Sequence, residues 1–334
     1  MNNMISPSSK LNPKVFDKDV EQVPIRKGFG QGFLAAAEKN KNVVGLCADL
    51  TESTQMHLFK EKFPERFIEI GVAEQNLISV ASGMAAMGKI PFTSSYAMFS
   101  PGRSWEQIRT TVAYNDRKVV IVGSHAGVSV GPDGGTHQAI EDIAITRVIP
   151  NMVVVSPCDS IEAKKATMAI AQTKEPTYIR LIREKTPVIT TEATPFEIGK
   201  AQIFFSPVTG VADVALIATG ALVHKALVAA KELEKEKIGV TVVNLSTIKP
   251  LDTDTLVRVA KEAKAVVTVE EHQVAGGMGS AVAELLSEHC PVPLIRLGVQ
   301  DKFGQSGTPD ELVEHYGMGV SHIKEAAKKV ISKK

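Results

Sequence analysis

Residues 214–243 read VALIATGALVHKALVAAKELEKEKIGVTVV. Val214–Thr219 is an uninterrupted, mostly apolar run of strand length. Over 221–234 the apolar residues change to helical spacing, at Leu222, Val223, Ala226, Leu227, Ala230 and Leu233, with charges between them. Ile238–Val243 returns to a strand pattern. Strand, amphipathic helix and strand in direct succession make a βα crossover unit, which joins parallel neighbours in a sheet.

The alternation extends both ways. Downstream come a helical pattern over 252–263, a strand at Val266–Glu270, a helix over 275–288, a strand at Leu294–Leu297 and two short terminal helices. Upstream, Val43–Cys47, Val119–Gly123, Met152–Ser156 and Thr177–Leu181 read as strands, and Ala73–Met87 and Ile161–Ala171 as helices. Between Thr186 and Val211 the periodicity fails, and Pro187, Pro195 and Pro207 fall there. The expected fold is therefore α/β. It has two tandem domains, 25–190 and 211–334, each a mostly parallel sheet with helices on both faces. A linker over 191–210 joins them. Residues 1–24, polar and carrying Pro7, Pro13 and Pro24, read as a flexible arm.

Composition excludes several classes of function. The chain has 334 residues, 44% apolar and 22% charged, which is globular and long enough for two domains. A net charge of +1, with scattered Lys and Arg, gives no electrostatic case for nucleic acid or a membrane surface. Cys47, Cys158 and Cys290 match no zinc or disulfide spacing. A reducing cytoplasm is the simple reading. No apolar run approaches the ~18 residues of a membrane span.

In open parallel sheets ligands sit beyond the carboxyl ends of the strands. That singles out the loops Asp49–Ser53, Gly71–Gln75, Ser94–Arg103 and Ser124–His137. The last reads His125-Ala-Gly-Val-Ser-Val-Gly-Pro-Asp133-Gly-Gly-Thr-His137-Gln138. Asp133-Gly134-Gly135 is turn chemistry. Thr136 is placed to cap a helix, which would put His137 in a first helical turn where anions are favoured. A polar surface loop fits the same residues. Glu74 follows a strand and a glycine turn, at a helix start; it serves either the helix dipole or a ligand pocket. Tyr96 and Phe99 are three apart, able to flank a flat ring or to pack in the core. Arg183, just past a strand, suits a phosphate or a surface ion pair. The glycines at 276, 277 and 279, and at 28, 30 and 32, lack dinucleotide spacing and fit close helix packing. No phosphate loop, His-Glu-x-x-His or Cys-x-x-Cys pattern is present.

Taken in order, Ala48-Asp49-Leu50-Thr51-x-Ser53, Ile70-Gly71-x-x-Glu74, Tyr96-x-x-Phe99, Gly131-x-Asp133-Gly134-x-Thr136-His137-Gln138, Pro150-Asn151-Met152 and Arg183 resemble the transketolase family over about 26–330. Glu270-Glu271-His272 and Gly276-Gly277-Met278-Gly279 look like its C-terminal domain. The resemblance implies the C-terminal subunit of a split transketolase, a thiamine-diphosphate-dependent glycolaldehyde transferase of the pentose phosphate pathway. Glu74 would share a proton with N1′ of the aminopyrimidine, which lets the cofactor act as its own base. Phe99 and Tyr96 would line the pyrimidine, and Asp49 and Leu50 would stand near the thiazolium. His137 and His125 would contact the donor. Asp133 would read a substrate hydroxyl, and Arg26, Ser53 and Arg183 would grip a sugar phosphate, with His125 beside them.

Gln75 stands where fused members have His, Tyr96 where they have Phe, and a third pocket aromatic is replaced near Gly102. The family's Gly-Asp-Gly…Asn diphosphate motif does not occur in this sequence. The resemblance therefore implies Mg²⁺ or Ca²⁺ on an N-terminal partner chain, with an α2β2 assembly. Half of a deoxyxylulose-5-phosphate synthase-like enzyme, a 2-oxoacid dehydrogenase β subunit and a non-catalytic scaffold are the alternatives.

Overall fold

A computed structural model describes residues 5–207 and 210–334. From the N-terminus, the first domain runs β1 (Gln22–Pro24), α1 (Ile25–Lys39), β2 (Val43–Cys47), α2 (His57–Lys62), β3 (Phe67–Glu69), α3 (Glu74–Ala86) and β4 (Ile90–Tyr96). It continues with α4 (Trp105–Gln107), β5 (Val120–Ser124), α5 (Asp142–Arg147), β6 (Val153–Val155), α6 (Ser160–Ile170), β7 (Thr177–Arg180) and β8 (Lys185–Pro187). The second runs β9 (Gln202–Phe205), β10 (Val214–Ala218), α7 (Leu222–Lys235), β11 (Val240–Asn244), β12 (Thr247–Lys249), α8 (Thr253–Ala263), β13 (Val266–Gln273), α9 (Met278–His289), β14 (Leu294–Val299), α10 (Pro309–His315) and α11 (Val320–Ile331).

Among the described residues the first sheet has the order β12-β6-β7-β5-β4-β2-β3 and the second β14-β13-β10-β11-β9. Within these two sheets every pairing is parallel except at two edges, where β12 and β9 run antiparallel, and β1 pairs antiparallel with β8 apart from both. Two α/β units in tandem, as the sequence implies, are thus in place. Phe33 of α1 stacks on Phe59 at 4.4 Å and on Phe92 of β4 at 4.8 Å, which fills one face of the first sheet. Gly28 and Gly32 let α1 lie directly on α6. A Cβ on Gly28 would sit 1.8 Å from the Ser160 carbonyl oxygen. These glycines therefore serve helix contact, as their spacing implies.

Three expectations change. The arm is not free from residue 5 onward. Leu11 and Val15 are buried with Phe204, Leu222 and Val223, Asn12 bonds the carbonyls of Val188 and Ile189, and Ile5 bridges Phe205. Their apolar side chains are few, but they find partners more than 170 residues away. Residues 1–4 lie outside the described part. The 191–210 stretch is likewise no simple linker, because Gln202–Phe205 closes the second sheet as its antiparallel edge; residues 208 and 209 lie outside the described part. Finally, Thr136 caps no helix. Residues 135–137 form a turn and α5 begins only at Asp142.

The domains are joined by more than chain. β12, from the second, completes the sheet of the first, and one core mixes Val44, Leu77 and Ile121 with Ile217, Val243 and Val266. A buried polar seam runs between them. Asp142 Oδ2 accepts from Arg180 Nε at 2.8 Å and from the Tyr178 hydroxyl at 2.6 Å. Arg180 also donates to the Glu271 carbonyl at 2.7 Å. The Glu271 carboxylate accepts from the Ser129 N–H at 2.5 Å, fixing the loop after β5 to the end of β13. Glu270 takes the Met278 and Gly279 N–H groups at the start of α9. Gly277 and Gly279 are required there, since a Cβ on either would fall within 3 Å of that carboxylate. Burial pushes Glu270 up to about 7, against the pull of those two N–H groups. Among the described residues no helix is long and apolar enough to cross a membrane.

Candidate active site

Strands β2, β3, β4 and β5 are parallel neighbours, so the four loops that follow them emerge at one edge. Glu69, the last residue of β3, organises two of these loops. Its Oε1 accepts the N–H of Asp49 at 2.7 Å and of Gly71 at 2.9 Å. Gly71 has φ +79° with nothing within 4 Å of its missing Cβ, so glycine is favoured there by backbone conformation alone.

That turn delivers Glu74 as the first residue of α3, 1% exposed. Its carboxylate accepts from the Ser95 hydroxyl at 3.3 Å and from Arg103 at 3.1 Å. One residue on from Ser95, β4 ends at Tyr96, and Phe99 follows in the turn beyond it. Tyr96 stacks on His125, with ring centroids 3.9 Å apart, and lies 6.4 Å from Phe99. His137 meets Phe99 edge-on at 5.4 Å and Tyr96 at 6.2 Å. The histidine loop thus folds both of its imidazoles against the aromatic pair. The Thr136 hydroxyl pairs with His137 Nδ1 at 3.0 Å, and Ser124 with His125 Nδ1 at 2.9 Å. His125 is buried. Burial, reinforced by Arg26, Arg183 and His137, pushes it down to about 3, so the ring is neutral through the physiological range.

The cations form the rim. Arg26, at the start of α1, donates to the carbonyl of Arg183 at 3.1 Å and to that of Ser53. Arg183 donates to the Val130 carbonyl at 2.9 Å and pairs with Asp133 at 3.3 Å. Burial and the Arg183 charge lower Arg26, which is still a cation. Asp49 and Leu50 follow β2, one strand from Tyr96; Asp49 is exposed with φ +58°, and Leu50 is partly buried against the α1 side of the sheet. The structure therefore brings the sequence-selected residues to one sheet edge, with a carboxylate at the floor, four rings above it and two arginines at the rim. Glu69, Ser95 and Arg103 were not singled out from sequence. Arg103 lies four residues past Phe99, and its role depends on a turn that periodicity does not reveal. Among the described residues no three His, Cys, Asp or Glu side chains are grouped to hold a metal ion.

Residues 21–188 match the transketolase pyrimidine-binding domain, and 208–323 the transketolase C-terminal domain. A putative transketolase C-terminal section from Methanocaldococcus jannaschii is 46% identical over 88% of this chain and 92% of its own length. The 6-deoxy-6-sulfo-D-fructose transketolase subunit SqwH of a Clostridium species is 41% identical over 96% of this chain and 98% of its own. Transketolase of Rattus norvegicus is 36% identical over 96% of this chain, which spans 51% of the rat protein. A solved structure described as a split gene transketolase, inactive beta4 tetramer, superposes with a TM-score of 0.85 at 41% identity, covering 93% of this chain and 99% of that one. The chain belongs to the transketolase family and carries that family's pyrimidine-binding and C-terminal domains.

Proposed function

We propose that this chain supplies the pyrimidine side of a thiamine diphosphate site shared with an N-terminal partner subunit, and that the pair transfers a two-carbon ketol unit between ketose and aldose phosphates. One observation carries this reading: a carboxylate only 1% exposed, Glu74, shares the Arg103 guanidinium with the face of Phe99, beside Tyr96. A flat heteroaromatic ring with a basic edge fits both features. When bound, the cofactor supplies a carbon nucleophile that retains the electron pair released by C–C cleavage.

The chain's own groups do the remainder. Glu74 hydrogen-bonds the ring nitrogen and shares its proton. Phe99, with Tyr96, holds the ring plane, and Asp49 and Leu50 border its far end. His125, neutral, and His137 beside it hydrogen-bond the oxygens of the donor, with His137 moving a proton at the donor's hydroxyl. Asp133 accepts from a substrate hydroxyl, and Arg26, Arg183 and the Ser53 turn bind the anionic end of the sugar.

The diphosphate and its Mg²⁺ or Ca²⁺ do not fit this chain. The nearest Asp-Gly, Asp133-Gly134, is turned onto Arg183 rather than toward a second carboxylate. They belong to the partner, in an α2β2 assembly; the inactive β-only tetramer of the split-gene relative supports this division. The three free cysteines, two of them buried, suit a cytoplasmic setting.

We take pentose phosphates as the substrates. Relatives named for 6-deoxy-6-sulfo-D-fructose and apulose-4-phosphate support competing donors with the same kind of anionic terminus. The test is co-purification with the partner, then assay with xylulose-5-phosphate and ribose-5-phosphate, with the two alternative ketoses and pyruvate as further arms. Activity that disappears in Glu74→Ala while the complex still assembles supports the proposal. Near-normal turnover of that variant, or full activity of this chain alone, refutes it.

A further inference from the structure

We infer that Arg103 occupies the pyrimidine half-site of the free chain and must be displaced for an aminopyrimidine ring to bind. This rests on the assignment of Glu74 and Phe99 to that ring. Two contacts define the half-site, a hydrogen bond to a buried carboxylate and a stack on an aromatic face. The Arg103 guanidinium makes both: it donates to Glu74 Oε2 at 3.1 Å and lies 5.4 Å from the centroid of Phe99. A guanidinium is itself planar and presents N–H donors along its edge, so it reproduces the shape and polarity of an aminopyrimidine edge.

The surroundings support a displaceable contact rather than a structural one. Glu74 is buried, so without a partner its carboxylate would be left poorly satisfied. The Arg103 side chain, in contrast, is 53% exposed and sits on the irregular segment between β4 and α4, from which it can swing into solvent without disturbing the core. Only one side of the ion pair is anchored. Arg103 therefore satisfies Glu74 while the site is empty and lowers the fraction of molecules able to accept the ring. Apparent affinity falls by that fraction. It also discriminates: a ligand must offer both a stacking face and a donor to the carboxylate, because either alone leaves the arginine's combined contact better.

The experiment titrates a neutral probe, 4-amino-5-hydroxymethyl-2-methylpyrimidine, into the full chain and its Arg103→Ala, Arg103→Lys and Glu74→Ala variants, followed by ligand-observed NMR at two ionic strengths. Arg103→Ala is expected to bind about tenfold tighter than the parent, Arg103→Lys to fall between, and Glu74→Ala to lose binding. Raising salt, which screens a half-exposed pair, should tighten binding to the parent and leave Arg103→Ala unchanged. If Glu74→Ala loses binding but Arg103→Ala binds equally or more weakly, the displacement model is overturned and the site assignment stands. If Glu74→Ala binds like the parent, the site assignment falls and the displacement model with it.

Discussion

Replacing Glu270 by Gln probes the buried carboxylate that starts α9, next to the Glu271 that holds the histidine loop. Glu270 lies within β13, fully buried, with its carboxyl oxygens accepting the Met278 N–H at 2.6 Å and the Gly279 N–H at 2.8 Å. Burial outweighs these bonds and lifts it from 4.5 to about 7. Because the folded value lies above the unfolded one, the native chain holds this proton more tightly. The resulting stability is complete below about pH 4.5 and is lost as pH rises through 7. At 1.36 kcal/mol per pH unit the full loss is about 3 kcal/mol. Glutamine cannot ionise, but its amide group faces one of the two N–H donors, which sacrifices one hydrogen bond, about 1 kcal/mol at every pH. Urea unfolding of both proteins should therefore give nearly equal midpoints at pH 5. By pH 8 Glu270→Gln should have gained about 2–3 kcal/mol on its parent. Glu162 and Glu271 are also lifted by burial, but they titrate in both proteins and cancel in the difference. Two stability curves that stay parallel from pH 5 to 8 would mean that Glu270 is not protonated by its burial, and the reasoning would fail.

Other perturbations test the remaining features. Asp142→Asn leaves Arg180 buried against a neutral partner and should destabilise by about 3–5 kcal/mol in thermal unfolding. Gly28→Ala forces α1 off α6, since its Cβ would meet the Ser160 carbonyl at 1.8 Å, and should lower stability by at least ~3 kcal/mol, read as a fall in Tm. His125 is neutral above about pH 4, so His125→Asn should reduce kcat/KM without moving any inflection of its pH profile between 5.5 and 8. Its folded value lies below the unfolded one, so its burial should also weaken the fold as pH falls from about 6.5 toward 3.

How much of this was legible beforehand depended on the range of the contacts involved. The strands Val43–Cys47 and Val214–Ala218 and the helices α3, α6 and α7 declare themselves through local periodicity, and their structural bounds differ from the sequence reading by at most one residue at either end. The site edge was legible because parallel strands send their following loops to one side; Asp49, Glu74 and His125 each follow such a strand, and Tyr96 ends one. What stayed hidden is held from afar. Leu11 and Val15 sit in a polar stretch whose partners lie in the second domain, and β12 has only three residues. The helix expected at His137 failed because Asp133-Gly134-Gly135 continues into further turns, with Gln138 tied to the carbonyls of Val128 and Gln305. Arg103 pairs with a carboxylate 29 positions earlier, which no spacing announces.

The strand β12 also fixes an order of events at the ribosome. Val153–Val155 presents an unpaired outer edge until Thr247–Lys249 has been synthesised and can add to it. Through the intervening ninety or so residues of translation the nascent first sheet exposes a template for pairing with other chains. A gene truncated near residue 206 would make that interval permanent, so the first domain expressed alone should self-associate through this edge, whereas a fragment reaching past Lys249 should remain dispersed.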